Sequence, residues 1–421
     1  MTTRRNFLKT SAAVSGATLL GALDPRRFAH AAEGGPIKLG LIGCGGRGTG
    51  AASDALTGDS DTKLWAVADV FADKTDLAVK TLAPKFKDRV EVPQERQFAG
   101  LNGYRGVIEN CDVVLIACAS RFHADYALAA VKARKHVFAE KPGAVDVAGV
   151  LKLLEADELC KKNGTGFLAG VTYRYHLGRR EAVQRMQAGE IGDIVAIQCE
   201  YLRSPYRLIE RKPEWSEMEY QFRNWYHFNW LSGDDVPQSL LHSMDKGCWA
   251  LREQTPETAF ATAGRSSCFG PVYGDVFDHG AIVYEYANGV RMYANVRAQA
   301  GCYDEVSDTF LGTKGRCYLL KYRIEGETNW RYDKKVKTSM YDAEHQALFA
   351  AIRSGKPINN GRYMAHSTLA AIMGRMAAYT GQEITWEMAM NSKQQLVPDK
   401  LDWNAPLPVA PMARPGETKF F

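Results

Sequence analysis

The chain has 421 residues, of which 46% are hydrophobic and 24% are charged, and its formal net charge is +5. This length is enough for two domains with separate cores, and the composition is that of an ordinary globular protein. No block of lysine and arginine recurs beyond the first residues, so the charge pattern of a nucleic-acid-binding protein is missing.

The N-terminal segment is basic and then apolar. Residues 3–9 read TRRNFLK, and small and apolar residues follow from Ala12 to Leu23. This pattern resembles a twin-arginine export signal, and the small residues of Ala29-His30-Ala31 suit a cleavage site. The apolar run is shorter than the about 20 residues that a permanent membrane helix needs. We predict a signal peptide over 1–31, export to the periplasm by the twin-arginine machinery, and no permanent membrane span.

Short apolar runs then alternate with amphipathic stretches. The predicted strands cover 37–43, 63–70, 112–117 and 136–140, and the predicted helices cover 51–56, 72–83, 123–134 and 146–162. Strands separated by helices predict parallel pairing with right-handed crossovers. We therefore predict that 36–163 form an α/β Rossmann domain with a doubly wound parallel sheet.

The pattern changes after about residue 165. Alternating or aromatic strands are predicted over 192–201, 278–289, 290–299 and 316–322, and helices over 342–355 and 367–381 are predicted to cover their sheet. Asn288-Gly289 lies between two of these strands and favours a hairpin. We predict an α+β domain over 164–395 with a large, mostly antiparallel open sheet that serves substrate binding and oligomerisation. An extended tail is predicted over 396–421.

The nine cysteines are scattered, with no CxxC pair and no metal-like spacing. An odd, scattered set does not indicate a disulfide framework. We expect mostly free thiols and no metal site. Free thiols in an exported protein indicate that folding was completed in a reducing compartment.

A glycine motif follows the first predicted strand. The segment Gly43-Cys44-Gly45-Gly46-Arg47-Gly48 satisfies G-x-G-x-x-G between a strand and a helix. Gly43 permits a tight turn, Gly45 lets the backbone approach a pyrophosphate, and Gly48 lets helix and strand pack closely. This context predicts a dinucleotide site.

The type of dinucleotide is predicted from the next strand. Asp69 ends that strand, where its carboxylate can accept hydrogen bonds from ribose hydroxyls and repels a 2′-phosphate. NAD is therefore favoured over NADP, although Arg47 and Lys74 keep NADP open. The predicted cofactor-binding residues from these two elements are Gly43, Gly45, Arg47, Gly48 and Asp69.

The segment 120–142, SRFHADYALAAVKARKHVFAEKP, resembles the signature of the glucose–fructose oxidoreductase, inositol dehydrogenase and MocA (Gfo/Idh/MocA) family. With the glycine motif and the sheet domain, the resemblance covers roughly 36–390. In that family the lysine of the Glu-Lys-Pro triplet lies beside the nicotinamide and the substrate hydroxyl, and the peptide before the proline is commonly cis. The resemblance implies a catalytic, cofactor-contacting Lys141. It also implies further cofactor-site residues, namely Ser120, His123 and Glu140.

A third motif is QSLLHSMDKGCW at 238–249. Family members carry D-x-x-x-H-x-x-D on a helix here, and the resemblance implies catalytic roles for His242 and Asp245. Gln238 stands where the first aspartate is expected, on the same helical face as His242. We predict that His242 accepts the proton of the oxidised hydroxyl, while Lys141 steers or shares that proton.

Between 201 and 230, nine aromatic residues are interleaved with arginines. Flat rings beside bidentate donors suit a polyhydroxylated ring, but a packed loop or a dimer contact would show the same pattern. The predicted substrate-binding residues are Arg174, Tyr175, Arg223, Trp225, Gln238 and His279.

Export and cofactor binding together predict how the protein works. An exported enzyme must carry its nucleotide with it, so we expect tightly bound NAD that is reset on the enzyme. The predicted function is an NAD(P)-dependent oxidoreductase that oxidises a hydroxyl of a sugar or glycoside by hydride transfer to that nicotinamide. Two alternatives remain open, a redox-neutral NAD-dependent glycoside hydrolase of the family 109 type and a non-catalytic sugar-binding protein. The resemblance also implies a homo-oligomer.

Overall fold

The structure is a computed structural model that describes residues 35–335, 337–398, 401–403 and 406–420. The predicted signal peptide over 1–31 lies outside the described residues. The described part of the chain contains one six-stranded and one nine-stranded sheet.

The N-terminal sheet is parallel, with strand order β3-β2-β1-β4-β5-β6. Its strands are β1 Ile37–Ile42, β2 Thr62–Asp69, β3 Gln97–Ala99, β4 Val113–Ile116, β5 His136–Glu140 and β6 Phe167–Gly170. Its helices are α1 Gly46–Gly58, α2 Ala72–Phe86, α3 Gly103–Asn110, α4 His123–Lys132 and α5 Val147–Asn163. The predicted doubly wound Rossmann architecture is confirmed. Strand β6 belongs to this sheet although it follows the predicted boundary at residue 163.

The central strands of this sheet are buried on both faces. Every residue of β4, Val113–Ile116, is buried, as expected for a parallel strand between two helical layers. Strand β3 and helix α3 were not predicted, because β3 has only three residues and is partly exposed. All strands end at one edge, so Asp69 and Glu140 meet there with the glycine motif.

The C-terminal sheet has strand order β14-β13-β12-β11-β7-β10-β9-β8-β15. Its strands are β7 Ile194–Arg203, β8 Thr258–Gly264, β9 His279–Glu285, β10 Arg291–Ala298, β11 Glu305–Gly312, β12 Gly315–Tyr318, β13 Arg323–Gly326, β14 Trp330–Arg331 and β15 Ile384–Thr385. Only β7 and β10 pair in parallel among these described strands, so the mostly antiparallel sheet is confirmed. The predicted hairpin joins β9 and β10, with Gly289 at φ +81°.

The remaining helices follow in chain order. They are α6 Leu177–Gln187, α7 Glu217–Arg223, α8 Asn229–Ser232, α9 Leu241–Ala250, α10 Met340–Arg353, α11 Gly361–Thr380 and α12 Trp386–Asn391. Helix α11 packs on the C-terminal sheet as predicted, and a Cβ at Gly374 would lie 2.0 Å from the hydroxyl oxygen of Tyr284 on β9.

Helix α10 does not cover the C-terminal sheet, and that prediction is wrong. Its residues Leu348, Phe349 and Ile352 join the core of the Rossmann domain. The His345 ring lies 4.5 Å from the Phe138 ring on β5. The apolar spacing of a helix shows that one face will be buried, but it does not show against which sheet.

The outer face of the C-terminal sheet carries a row of side chains across neighbouring strands. Phe260, Val283, Tyr293, Gln198 and Thr309 are successive partners in register. Phe260 and Tyr293 are exposed large hydrophobic residues. The homo-oligomer stays a prediction, and this face is where we would expect it to form.

Three further findings concern the described residues only. None of their helices is both long and apolar enough to cross a membrane. They contain no group of three or more His, Cys, Asp or Glu side chains placed to hold a metal ion. All nine cysteines lie among them and are unbonded, as expected.

Candidate active site

A cleft separates the carboxyl edge of the Rossmann sheet from the C-terminal domain. It contains a cavity of about 310 Å³ at Gly43, Gly45 and Asp69, here called the glycine-loop cavity. A second cavity of about 230 Å³, the lysine cavity, lies at Lys141 and His242. The two cavities adjoin, since both are lined by Arg47, Ala117, Cys118, Trp225 and Tyr226.

The three motif glycines are required for different reasons. Gly43 has φ +95°, and a Cβ there would lie 2.4 Å from the Cys118 backbone nitrogen. A Cβ at Gly48 would lie 1.8 Å from the Gly43 oxygen. A Cβ at Gly45 meets nothing within 4 Å, so Gly45 leaves space in the cavity. Gly45 also precedes α1, whose first N–H groups have no partner within the helix. This cradle fits a pyrophosphate.

Asp69 holds the glycine loop from the end of β2. Its Oδ2 accepts a hydrogen bond from the Cys44 N–H at 2.7 Å, and its Oδ1 accepts one from the Phe71 N–H at 3.0 Å. Burial raises the pKa of this carboxyl, and the two N–H groups oppose that rise. A carboxylate has about four acceptor sites, so Asp69 keeps capacity for a ribose hydroxyl.

Arg47 connects the glycine loop to the Glu-Lys-Pro triplet. Its Nε lies 3.0 Å from Glu140 Oε1, and its Nη2 donates to Asp54 Oδ2 at 2.8 Å. Burial raises the pKa of Glu140, while the positive charges of Arg47 and Lys141 lower it. The ion pair positions the triplet beside the cavity.

Lys141 reaches across the cleft to the C-terminal domain. Its Nζ donates to the Gln238 backbone oxygen at 2.6 Å, and the Lys141–Pro142 peptide is cis. The Gln238 side-chain Nε2 donates to Ser120 Oγ at 2.5 Å and to the Ser232 oxygen at 2.7 Å. Gln238 lies in a π-helical turn, Val236–Leu240, just before α9, a feature frequent at functional sites.

His242 lies in the first turn of α9 and lines the lysine cavity. Its ring centroid is 4.8 Å from that of Tyr173, and its Nδ1 is buried without a partner among the described residues. Burial, with the positive charges of Lys141 and Lys246, lowers the pKa of His242 well below its ordinary value. The imidazole is therefore neutral at neutral pH and able to accept a proton.

His123 and Ser120 line the lysine cavity, as their predicted place in the cofactor site requires. His123 Nδ1 lies 2.7 Å from the Pro142 oxygen, and its Nε2 lies 3.0 Å from the Cys118 oxygen. The buried ring therefore joins the loop after β4 to the loop after β5. Burial lowers the pKa of His123, and its two ring contacts give it a positioning role.

Asp245 and Arg174 bind each other, away from both cavities. Arg174 Nε donates to Asp245 Oδ2 at 2.9 Å, and Arg174 Nη2 donates to Oδ1 at 2.8 Å. Ser367 Oγ also donates to Oδ1, at 3.0 Å. The geometry does not support a catalytic Asp245 or a substrate-binding Arg174. In a helix, a residue three positions after His242 is rotated by about 60° from it, and this turns Asp245 away from the cavity.

Tyr175 and His279 do not join the site either. The Tyr175 hydroxyl donates to Asn360 Oδ1 at 3.5 Å, and its ring packs on the Rossmann core. His279 Nδ1 lies 2.7 Å from Asp278 Oδ1, beside a separate small cavity. Both predictions of substrate binding lack support in the structure, since neither residue lines the glycine-loop cavity or the lysine cavity.

The aromatic residues of 201–230 line the glycine-loop cavity more than the lysine cavity. Trp225 lines both cavities, but Arg223 lines only the glycine-loop cavity, with its guanidinium 3.9 Å from the Phe71 ring centroid. Tyr226 and Tyr341 also line the lysine cavity. Tyr341 was not predicted, and Tyr226 was indicated only as one of the nine aromatic residues between 201 and 230.

Comparisons with known proteins show which family and which signal this chain is similar to. Residues 37–169 match the model of the Gfo/Idh/MocA oxidoreductase family with its NAD-binding Rossmann fold, and residues 1–21 match the model of a twin-arginine translocation signal. Inositol 2-dehydrogenase of Salmonella typhimurium is 24% identical over 335 residues, covering 76% of this chain and 87% of that protein.

Two solved structures show the same fold. Aldose-aldose oxidoreductase of Caulobacter crescentus matches with a TM-score of 0.65 and 18% identity, covering 83% of this chain and 99% of that one. Scyllo-inositol dehydrogenase of Lactobacillus casei, with bound NAD(H) and scyllo-inositol, matches with a TM-score of 0.63 and 21% identity, covering 84% and 99%.

Proposed function

Because residues 37–169 match the model of the Gfo/Idh/MocA oxidoreductase family, we propose that the chain is a member of this family and an exported, NAD-dependent oxidoreductase that oxidises a hydroxyl group of a sugar or glycoside. One observation carries the proposal. Lys141 of the Rossmann domain and His242 of the C-terminal domain line one cavity, and that cavity opens into the glycine-loop cavity. A substrate in the lysine cavity would therefore meet both the two polar groups and the cofactor.

The residues present fit a nicotinamide dinucleotide. Gly45 and the first turn of α1 would hold the pyrophosphate, and Asp69 would hold the adenosine ribose. The Asp69 carboxylate favours NAD over NADP, because it would repel a 2′-phosphate. The bound nicotinamide supplies the hydride acceptor.

Two side chains would handle the proton of the substrate hydroxyl. His242 is neutral and lines the lysine cavity, so it would accept the proton as a general base. Lys141 uses one N–H on the Gln238 oxygen and has two more to donate to the substrate oxygen. Gln238 stands at the position of the aspartate expected in the family, and this uncharged residue forms part of the wall of the lysine cavity.

Several sequence features support export with the cofactor already bound. The twin-arginine signal at residues 1–21 belongs to a route that carries folded proteins. The nine cysteines are unbonded, as suits folding in a reducing compartment. A cofactor that does not leave must be reset on the enzyme, so we propose a second carbonyl compound or external acceptor as the oxidant.

The test begins with the protein purified from the envelope. We expect denaturation to release NAD in stoichiometric amount, and we expect a sugar from a test panel to produce the near-ultraviolet absorbance of reduced nicotinamide. A protein without nucleotide that turns over only with added NAD would contradict retention. Release of a glycoside's leaving group without any acceptor would identify the redox-neutral glycoside hydrolase instead. A sugar that binds without any change in absorbance would identify a binding protein.

A further inference from the structure

Residues 204–230 form the outer wall of the glycine-loop cavity, and we call them the roof. This segment comes from the C-terminal domain, yet it faces the glycine motif across the cleft. The roof residues that line the cavity are Ile209, Trp215, Phe222, Arg223, Trp225 and Tyr226. A dinucleotide on the glycine loop would therefore lie beneath the roof.

The inner end of the roof is anchored by a stack of rings. The Tyr206 and Tyr226 ring centroids are 3.9 Å apart, and those of Tyr226 and Trp225 are 3.8 Å apart. The Arg203 guanidinium lies 3.6 Å from the Tyr206 ring centroid and donates to Ser239 Oγ at 3.0 Å. These contacts fix the roof to the C-terminal domain near the lysine cavity.

The outer end of the roof is held by the C-terminal tail. The Trp403 ring centroid is 5.4 Å from that of Phe222 in the roof and 6.0 Å from that of Phe71 in the Rossmann domain. Gln221 Nε2 donates to the Leu407 oxygen at 2.9 Å, and the Leu407 side chain is buried. The tail thus bridges the roof and the domain that carries the glycine loop.

Gln221 makes this contact part of the roof's own packing. Its Oε1 accepts a hydrogen bond from Trp230 Nε1 at 2.6 Å, while its Nε2 binds the tail. Nε2 also donates to Glu217 Oε1 at 3.0 Å, so separating the tail from the roof would cost this amide one of its two donor contacts. The closed arrangement is therefore favoured by hydrogen bonding as well as by ring packing.

We propose that the tail, through Trp403 and Leu407, latches the roof over the adenosine half of the bound dinucleotide and so sets how fast the cofactor can leave. This inference rests on the proposed function, because it requires a dinucleotide in the cleft. The adenosine end is enclosed by Arg223, stacked on Phe71, and by Lys74. The glycine loop supplies the contacts to the cofactor, and the latch supplies the barrier to its release.

The test compares the release rate of bound dinucleotide from the full-length wild-type protein and from Trp403→Ala. Release is followed by fluorescence after reduction of the cofactor and by the nucleotide content after gel filtration. Trp403→Ala removes two aromatic contacts, and we expect release at least about tenfold faster. Trp403→Phe should restore most of the retention. Trp386→Ala is the matched control, because Trp386 is a partly buried tryptophan of the same domain that packs on His366 instead.

The outcomes distinguish the latch from the proposed function. Equal release rates in wild type and Trp403→Ala would overturn the latch while leaving the proposed function intact. Nucleotide-free wild-type protein with no affinity for NAD would overturn both. Hydrogen exchange of 204–230 separates the latch from general loosening, since Trp403→Ala should speed exchange in the roof and leave β1 and β4 protected. Uniformly faster exchange in the roof and in these strands would show a structural defect and contradict a specific latch.

Discussion

At the lysine end of the cleft the wall is polar and is shared by both domains, whereas at the glycine-loop end the floor is backbone and the cover is aromatic. Lys141, Gln238 and His242 meet at the first end. Gly45 faces the aromatic roof at the second. Polar groups that can move a proton lie at one end, and groups that enclose a ligand lie at the other. Chemistry and cofactor retention should therefore be separable by mutation.

Substitution of the lysine should have the largest effect. Lys141→Met removes the ammonium group from the lysine cavity, and we expect turnover to fall by about 10³-fold. The dinucleotide should be retained, because the Lys141 Nζ contact is to the Gln238 oxygen and not to the glycine loop. Steady-state kinetics and nucleotide content measure the two effects. Lys132→Met is the control, since Lys132 is exposed and pairs with Glu155. Wild-type turnover in Lys141→Met, or loss of its bound dinucleotide, would contradict the separation of chemistry from cofactor retention.

Substitution of the histidine should reduce turnover by about 10²-fold. His242→Asn removes the proposed proton acceptor and keeps a polar side chain. Since the pKa of His242 is lowered, the acid limb of the wild-type kcat/KM profile should lie below about pH 6.5. That limb should disappear in His242→Asn and persist in His366→Asn, where the ring lies outside both cavities. A wild-type limb at or above that pH would argue against His242 as the base.

Substitution of His345, which is buried against the Rossmann sheet, should change the stability of the protein and leave its activity unchanged. His345 is fully buried with neither ring nitrogen partnered among the described residues, and burial lowers its pKa to about 3. The unfolded chain takes up this proton first, so the group's contribution to stability is present above about pH 6.5 and is lost as the pH falls toward 3. From about pH 7.5 to about pH 5 the loss from this one group is about 2 kcal/mol.

His345→Phe should remove this share of the pH dependence, because a phenyl ring suits the neighbouring Phe138 and Phe349 rings. The free energy of unfolding in denaturant, measured at both pH values, checks the change. Turnover and cofactor content at neutral pH should match the wild type. An unaltered pH dependence of stability would show that His345 is not the titrating group.

The smallest effect is expected at the glycine loop. Gly45→Ala places a methyl group where nothing lies within 4 Å, so the fold should keep its melting temperature. The methyl group would occupy space needed by a pyrophosphate, and we expect about tenfold weaker NAD binding. Gly50→Ala on the following helix α1 is the control, since its Cβ meets Arg47 only at ordinary contact distances of 3.8–3.9 Å. Titration with NAD measures the affinity, and equal affinities would place the pyrophosphate elsewhere.

Local sequence determined much of this protein. The alternation of buried strands and helices predicted the Rossmann sheet, and Asn288-Gly289 predicted the hairpin of the second sheet. The glycine motif and Asp69 were predicted to lie together, and Asp69 accepts a hydrogen bond from the loop itself. Each strand, helix and turn depends on residues close to one another in the chain, so a short segment is enough to predict it. The contact between Asp69 and the loop spans 25 residues, and it was predictable because parallel strands end at the same edge of the sheet.

Only the tertiary structure decided which side chains from distant segments of the chain contact one another. Asp245 and His242 lie on the same helix, yet Asp245 pairs with Arg174 while His242 faces the cavity. The aromatic stretch forms a roof because strand order brings it over the glycine loop, and Trp403 reaches it from the far end of the chain. Spacing shows which side chains share a face. Which surface covers that face depends on contacts between distant segments, and no local pattern encodes them.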